Sequence, residues 1–242
     1  MKKSIIPCVL ILGLLLLQPS QTFAQTAEDI LEKMIDAQGG RSALEKIQDT
    51  VLTGYMEMIQ MGYGGSLTTY LKEPNKLRLD ATVQGTLITQ TFDGETGWMT
   101  NPITGMVEEM PLIIAEDFGR SALGNDALLN PERYGITYTL TGKELLEGRE
   151  YFALSQNFSD GFKASLLIDT KTYLMHKTKT TSINEIGEKI EVETILSNYK
   201  DIDGILIAHT IVTWQDDVEF MKMTIDEVKF NTGLDDTWFK LK

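Results

Sequence analysis

The tightest constraint on this chain is a period of two. Between Lys76 and Val83 the residues alternate, with Leu77, Leu79, Ala81 and Val83 on one side and Lys76, Arg78, Asp80 and Thr82 on the other. That is the pattern of a strand with one dry and one wet face. Strand-like runs recur near 49–61, 66–72, 86–92, 96–100, 135–141, 150–158, 162–169, 173–183, 188–200, 205–214 and 219–230, parted by Gly, Asn and Asp turn signals. About a dozen strands at such short intervals predict a single antiparallel, up-and-down sheet. A sheet of that length must curl or split.

Two stretches break the period. Residues 26–47 read as two short helices, with Thr26 as N-cap and Ile30, Leu31, Met34 and Ile35 forming an apolar stripe. Gly39-Gly40 ends the first, and Ala43, Leu44 and Ile47 continue the apolar side of the second. Residues 111–123 fit a helix with Pro111 at its first turn, carrying Leu112, Ile113, Ile114, Ala115, Phe118, Ala122 and Leu123.

The first 24 residues follow a different logic. Met1, Lys2 and Lys3 precede an apolar run from Ile5 to Leu17, then Thr22-Phe23-Ala24, which predicts a secretory signal peptide cleaved after Ala24. A bilayer span needs about 20 apolar residues, and this run is shorter. Residues 25–242 are therefore expected as one soluble, exported domain. The single cysteine, Cys8, lies inside the signal, so the mature chain has no thiol, disulfide or cysteine metal site. Cleavage removes two lysines and no acid, taking the formal charge from -13 to -15. That balance argues against nucleic acid and against anionic membrane surfaces.

The loop TFDGETGWMTNPITG, residues 91–105, could be a site or a corner. A phosphate cradle would need a helix to follow, and Asn101-Pro102 cannot continue one. A calcium loop would need more carboxylates than Asp93 and Glu95. Asp93-Gly94 is thus read as a hairpin turn, with Phe92 and Trp98 closing one end of the apolar interior. Asp160-Gly161 and Asp203-Gly204 read the same way.

Catalytic and metal chemistry find little material. His176 and His209 are the only imidazoles and have no carboxylate at ligand spacing. His209 shares an apolar alternation with Ile205, Ile207 and Ile211 and is read as packed, while His176 between lysines is read as exposed. The nearest approach to a nucleophile elbow, Gly64-Gly65-Ser66, is read as a turn. The acid pairs Glu108-Glu109, Asp216-Asp217 and Asp235-Asp236 are read as solvated, since neighbours on a strand point to opposite faces. No cofactor and no metal are predicted. Met56, Met58 and Met61 in one strand and Met221 and Met223 in another fit either a methionine-filled core or a wall that adapts to varied apolar shapes.

The order of the pieces carries a resemblance. A helix ending in DAQGGRSALEKIQ is followed by VLTGYMEM, YLKEPNKLRLD, TFDGETGWMTNPITG, LIDTKTYLMHKTK and YKDIDGILIAHTI. This series resembles the periplasmic outer-membrane lipoprotein-sorting protein family, with its LolA/LolB-like fold, over nearly all of the mature chain. The resemblance implies a mainly β protein: one curved antiparallel sheet, an incomplete barrel of about eleven strands, with N-terminal and mid-chain helices lidding its apolar concave face. It also implies a carrier for lipid or for the acyl chains of lipoproteins.

On that reading Met56, Met58, Leu77, Leu79, Phe92, Trp98, Leu112, Phe118 and Met223 are the candidate cavity residues. A non-enzymatic binder of lipid or acylated lipoprotein is the leading expectation. An envelope interaction module with a filled interior and a protein partner stands as the alternative. A lipid hydrolase built on the same sheet, with His209 beside Ser or Asp at a pocket mouth, is the third.

Overall fold

The computed structural model describes residues 25–101, 104–183 and 188–241. The signal-peptide reading of 1–24, and Cys8 with it, lies outside the described residues. The strands are β1 (Asp49–Met58), β2 (Tyr63–Lys72), β3 (Lys76–Val83), β4 (Thr86–Phe92), β5 (Gly97–Thr100) and β6 (Val107–Glu109). After a helical crossover come β7 (Ile136–Leu146), β8 (Arg149–Phe158), β9 (Lys163–Asp169), β10 (Met175–Ile183), β11 (Lys189–Ile202), β12 (Ile205–Gln215) and β13 (Val218–Phe230).

All belong to one sheet in the order β6-β5-β4-β3-β2-β1-β13-β12-β11-β10-β9-β8-β7, antiparallel at each junction. It is thus two meanders joined where β1 meets β13, and β6 and β7 are left as edges, so the barrel is incomplete. The fold is mainly β, as the alternation predicts, with the helical cover that the resemblance implies. Among the described residues there are thirteen strands where the resemblance implies about eleven. The short β6 has no alternation to announce it.

The first helix, α1 (Ala27–Gln38), starts at a capping box: the Asp29 backbone N–H donates to Thr26 Oγ1, and the Thr26 N–H donates to the Asp29 carboxylate. Gly39 ends it with φ of 135°, and a Cβ there would sit 2.5 Å from the Gly204 carbonyl oxygen, so conformation and space both require glycine. The stripe Ala27, Ile30, Leu31 and Met34 packs on Phe152 and Leu154 of β8 and Ala164, Leu166 and Ile168 of β9. These are alternate residues, so α1 lies on one face of the β8–β9 pair, the concave one. Ile35, with Leu44 of α2 (Arg41–Leu44) and Ile47, packs on Leu129 and Ile205. Leu129 belongs to α4 (Asn125–Leu129), which follows α3 (Leu112–Ser121). Arg41 Nη1 donates to the Leu129 carbonyl at 2.8 Å and so ties the α1–α2 corner to α4.

The convex face is covered differently. At β2–β3 the C-terminal segment crosses the sheet: the Trp238 ring lies 5.1 Å from Tyr70, Arg78 Nη1 donates to the Trp238 carbonyl, and Phe239 is fully buried. Asp49 anchors this strap by accepting from the Thr232 hydroxyl and from the backbone N–H groups of Thr232, Gly233 and Leu234. At β8–β9, Tyr151, Ala153 and Leu167 form a small outer cluster, and the His176 ring stacks on Tyr151 with centroids 4.8 Å apart.

Three local readings need correction. His176 is half-buried in that stack rather than exposed, and burial pushes its pKa down. Gly64-Gly65-Ser66 lies inside β2, not in a turn: Cβ atoms at Gly64 and Gly65 would collide with the Met56 and Thr82 carbonyl oxygens, so these glycines admit close strand approach. The strand read as 49–61 ends at Met58, and Met61 sits exposed in a 3-10 turn over Ile59–Met61.

Candidate functional site

The Asp93-Gly94 stretch is a turn between strands. Asp93 Oδ1 accepts from the Glu95 and Thr96 backbone N–H groups, and the Asp93 N–H donates to the Thr96 carbonyl, which turns β4 into β5. Burial pushes the Asp93 carboxyl up, but these N–H donors and Lys240 outweigh it and hold the pKa below the ordinary value. The carboxylate is spent on shaping the turn. Among the described residues no group of three His, Cys, Asp or Glu could hold a metal ion. His209 is 1% exposed, with Nδ1 2.9 Å from the Ile207 carbonyl oxygen.

The chemistry of the molecule lies instead in the hollow of the sheet, which has two adjoining lobes. The first, of about 820 Å³, is walled by alternate residues of β1–β4 and of β12–β13: Leu52, Met56 and Met58; Leu67, Thr69 and Leu71; Leu77, Leu79, Ala81 and Val83; Ile88 and Gln90; Ile211; Met221, Met223 and Ile225. Among the described residues its lining holds no Asp, Glu, Lys, Arg or His. Tyr199, at its border, donates its hydroxyl to the Met175 carbonyl at 2.6 Å, and burial pushes its pKa up to about 12.

The second lobe, of about 750 Å³, lies beneath α3 and α4 against β8–β11 and shares Ser121, Met175, Leu196 and Ile211 with the first. Its wall mixes apolar side chains such as Leu166 and Phe162 with Tyr138, Gln156, Thr178, Thr180, Ser182 and Thr194, and it includes the ion pair Asp117–Arg120. Both volumes fall in the upper part of the roughly 300–1,000 Å³ range of small-molecule sites.

Helix α3 covers the hollow. It packs against β3, β4 and β5 on one side, where Gly119 lies over the Phe92 ring and a Cβ would come within 3.0 Å of it. On the other side Arg120 donates to Asp160 in the β8–β9 turn at 2.9 Å and stacks 4.3 Å from the Phe162 centroid, and the Ser182 hydroxyl donates to Asp117 at 2.8 Å. The cover is held by polar contacts, and none of its ten residues is fully buried.

Of the nine cavity candidates, Met56, Met58, Leu77, Leu79 and Met223 are brought together on the wall of the first lobe. Phe92 shares the cavity face with Ile88 and Gln90 but is capped by Gly119 and lines neither lobe. Trp98 pairs with Thr91, whereas Met99 pairs with Gln90 and lines the cavity, so Trp98 points to the convex side. Leu112 is 76% exposed on the outside of the cover, and Phe118 is half-buried without reaching either lobe. Alternation within β12–β13 would have added Ile211 and Met221. Met99 and Met175 carry no comparable signal, because β5 is four residues long and the run into β10 is broken by a bulge at Met175–Lys177.

Neither a comparison with protein-family models nor one with curated protein sequences finds a match. Comparison with solved structures does. The chain is similar to a LolA superfamily protein from Nitrosomonas europaea at 14% identity and a TM-score of 0.61, covering 90% of this chain and 99% of that one. It is similar to a DUF1329 family protein from Desulfovibrio piger at 16% identity and a TM-score of 0.60, covering 90% and 98%. A Vibrio parahaemolyticus domain provisionally described as an outer-membrane lipoprotein-sorting protein gives 17% identity and a TM-score of 0.56, covering 86% and 95%. At these identities the likeness is one of fold, and the fold is LolA-like.

Proposed function

We propose that the protein binds lipid, or the acyl chains of lipoproteins, in the hollow of its sheet, and that it does so as a non-enzymatic carrier exported to the periplasm behind a cleaved signal peptide. The observation that carries this reading is the first lobe: about 820 Å³ of space whose lining, among the described residues, has no charged side chain, under a cover held by polar contacts. Met56, Met58, Leu77, Leu79 and Met223 are its proposed chain contacts, with Phe92 and Phe118 acting through the cover, while Trp98 and Leu112 face away from the hollow. The LolA-like fold supports the reading.

The energetics suit a carrier. Each buried methylene contributes about 0.8 kcal/mol, so a 16-carbon chain gains roughly 10 kcal/mol or more. Association costs on the order of 4 to 15 kcal/mol, which leaves a net affinity that permits release. An unfilled hollow speaks against a scaffold with a packed interior. His209 is buried, lines neither lobe and makes its side-chain hydrogen bond to the Ile207 carbonyl rather than to a serine or carboxylate, which favours the carrier over the hydrolase reading.

The test is native mass spectrometry of protein expressed with its signal peptide, followed by displacement of a fluorescent acyl probe. A co-purified amphiphile and saturable, competable probe binding are expected. Protein that emerges empty and takes up no probe would refute the proposal.

A further inference from the structure

The two lobes differ in chemistry, and the difference selects a headgroup. In the second lobe Thr178 of β10 stands directly opposite Thr194 of β11, with Thr180 two residues along on the same face. Among the described residues none of these three hydroxyls has a side-chain hydrogen bond, although all three line the cavity and are half-buried. Across the lobe Tyr138 accepts from Gln156 Nε2 at 2.9 Å, which leaves its own hydroxyl proton to donate. Burial pushes the Tyr138 pKa up, so that proton stays in place near neutrality. A half-buried row of hydroxyls without partners stabilises little by itself; it becomes favourable when a ligand supplies donors and acceptors.

Charge narrows the class. Among the described residues Arg120 is the only cation lining the second lobe. It is already engaged by Asp117 at 2.8 Å and Asp160 at 2.9 Å, with Glu116 at 4.0 Å, and its buried Nε has no acceptor. One guanidinium among three carboxylates leaves a negative local balance, so a carboxylate or phosphate headgroup would be repelled or would have to displace an existing partner. The ion pairs Lys177–Glu193 and Lys179–Glu191 are made by the intervening residues of β10 and β11, which face away from the hydroxyl row.

Resting on the carrier reading above, we infer that the second lobe is a headgroup site for a neutral, hydroxyl-rich amphiphile of the glycosyl or glyceryl kind, whose chain runs through the shared Met175–Leu196–Ile211 border into the first lobe.

The experiment displaces N-phenyl-1-naphthylamine from the mature protein with four dodecyl amphiphiles below their micelle concentrations: the maltoside, the carboxylate, the phosphate and the trimethylammonium. The maltoside is expected to displace at concentrations about tenfold below those of the two anions, the size of one or two net hydrogen bonds. In a Thr178→Val/Thr194→Val variant, which keeps side-chain shape and β-branching, that advantage should shrink to about twofold with the dodecanoate value unchanged. Tyr138→Phe should lose part of it independently. Equal or better displacement by either anion, equal displacement by the trimethylammonium, or a ranking that survives the valine substitutions would each overturn the inference while leaving chain binding intact. Failure of the naphthylamine and all four amphiphiles to bind would instead remove the carrier reading, and the headgroup site with it.

Discussion

Met56 and Met223 stand directly opposite one another on β1 and β13, at the junction of the two meanders, and both line the apolar lobe. The same junction pairs Met58 with Met221. Four flexible thioethers therefore form a patch at the centre of the wall, able to follow the contour of whatever lies against it.

Met223→Asp should place an unpaired carboxylate on that wall. Because burying an unpaired charge is expensive, acyl-probe affinity should fall at least about tenfold in a fluorescence titration. Met61→Asp, at a position 56% exposed in the turn beyond β1, should leave it unchanged. Equal affinities for the two variants would mean that chains bind elsewhere.

Asp49 is expected to dominate the strap on the convex side. Burial pushes its carboxyl up, but the Thr232 hydroxyl and the N–H groups of Thr232, Gly233 and Leu234 together outweigh that and hold it below its ordinary 3.8. With the folded pKa depressed, its stabilisation is present above the ordinary value and is lost as pH falls through the folded one. Asp49→Ala should cost about 3 kcal/mol in urea unfolding at neutral pH, from charge-assisted bonds lost and donors left unpaired. The gap to the parent protein should narrow below about pH 4.

Arg120→Gln should loosen the cover without unfolding the sheet. Its partners Asp117 and Asp160 are about half exposed, so the global cost should be only about 1 kcal/mol. Amide exchange across Leu112–Ser121 should accelerate, as should probe release, and added salt should shift the parent in the same direction. Unchanged exchange in this helix would show that packing alone holds it.

Gly65 and Gly85 offer a matched pair. A Cβ on Gly65 would lie 1.9 Å from the Thr82 carbonyl oxygen, so Gly65→Ala must push β2 from β3 and should cost about 1–3 kcal/mol. Gly85, in the β3–β4 turn with φ of 83°, has open space around it. Gly85→Ala should cost only the conformational strain, about 1–2 kcal/mol. Thermal unfolding of both variants separates close approach from backbone preference, and Gly65→Ala should also weaken probe binding, because β2 and β3 form the wall.

The sheet was legible because one face is wet: Lys76, Arg78 and Asp80 mark β3 as clearly as Leu77 and Leu79 do. Where that contrast fails, so does the reading. Val107–Glu109 is too short to alternate, and Gly64-Gly65 reads as a turn because sequence shows glycine's freedom and hides the neighbouring carbonyl that demands it. The wall of the first lobe was accessible through alternation, which placed Leu77, Leu79, Met56, Met58 and Met223. Trp98 was misplaced since a four-residue strand gives no parity until its partners Thr91 and Gln90 are known. The hydroxyl row was invisible because Thr178, Thr180 and Thr194 look like any solvated strand face until α3 and α4 are set above them.

The join between β1 and β13 has a consequence for how the chain reaches this state. Most other strand pairs close locally as hairpins, but this one links residues 50–58 to 221–230. While the chain emerges with its N-terminus leading, β1 would wait with one side open until nearly the last residues arrive, and its backbone groups would be available to any passing strand. Such high-contact-order closure is slow. A nascent chain halted before Val218 would hold two half-sheets with no shared seam, and chaperone protection in that interval would matter more for this architecture than for one whose ends lie at its edges.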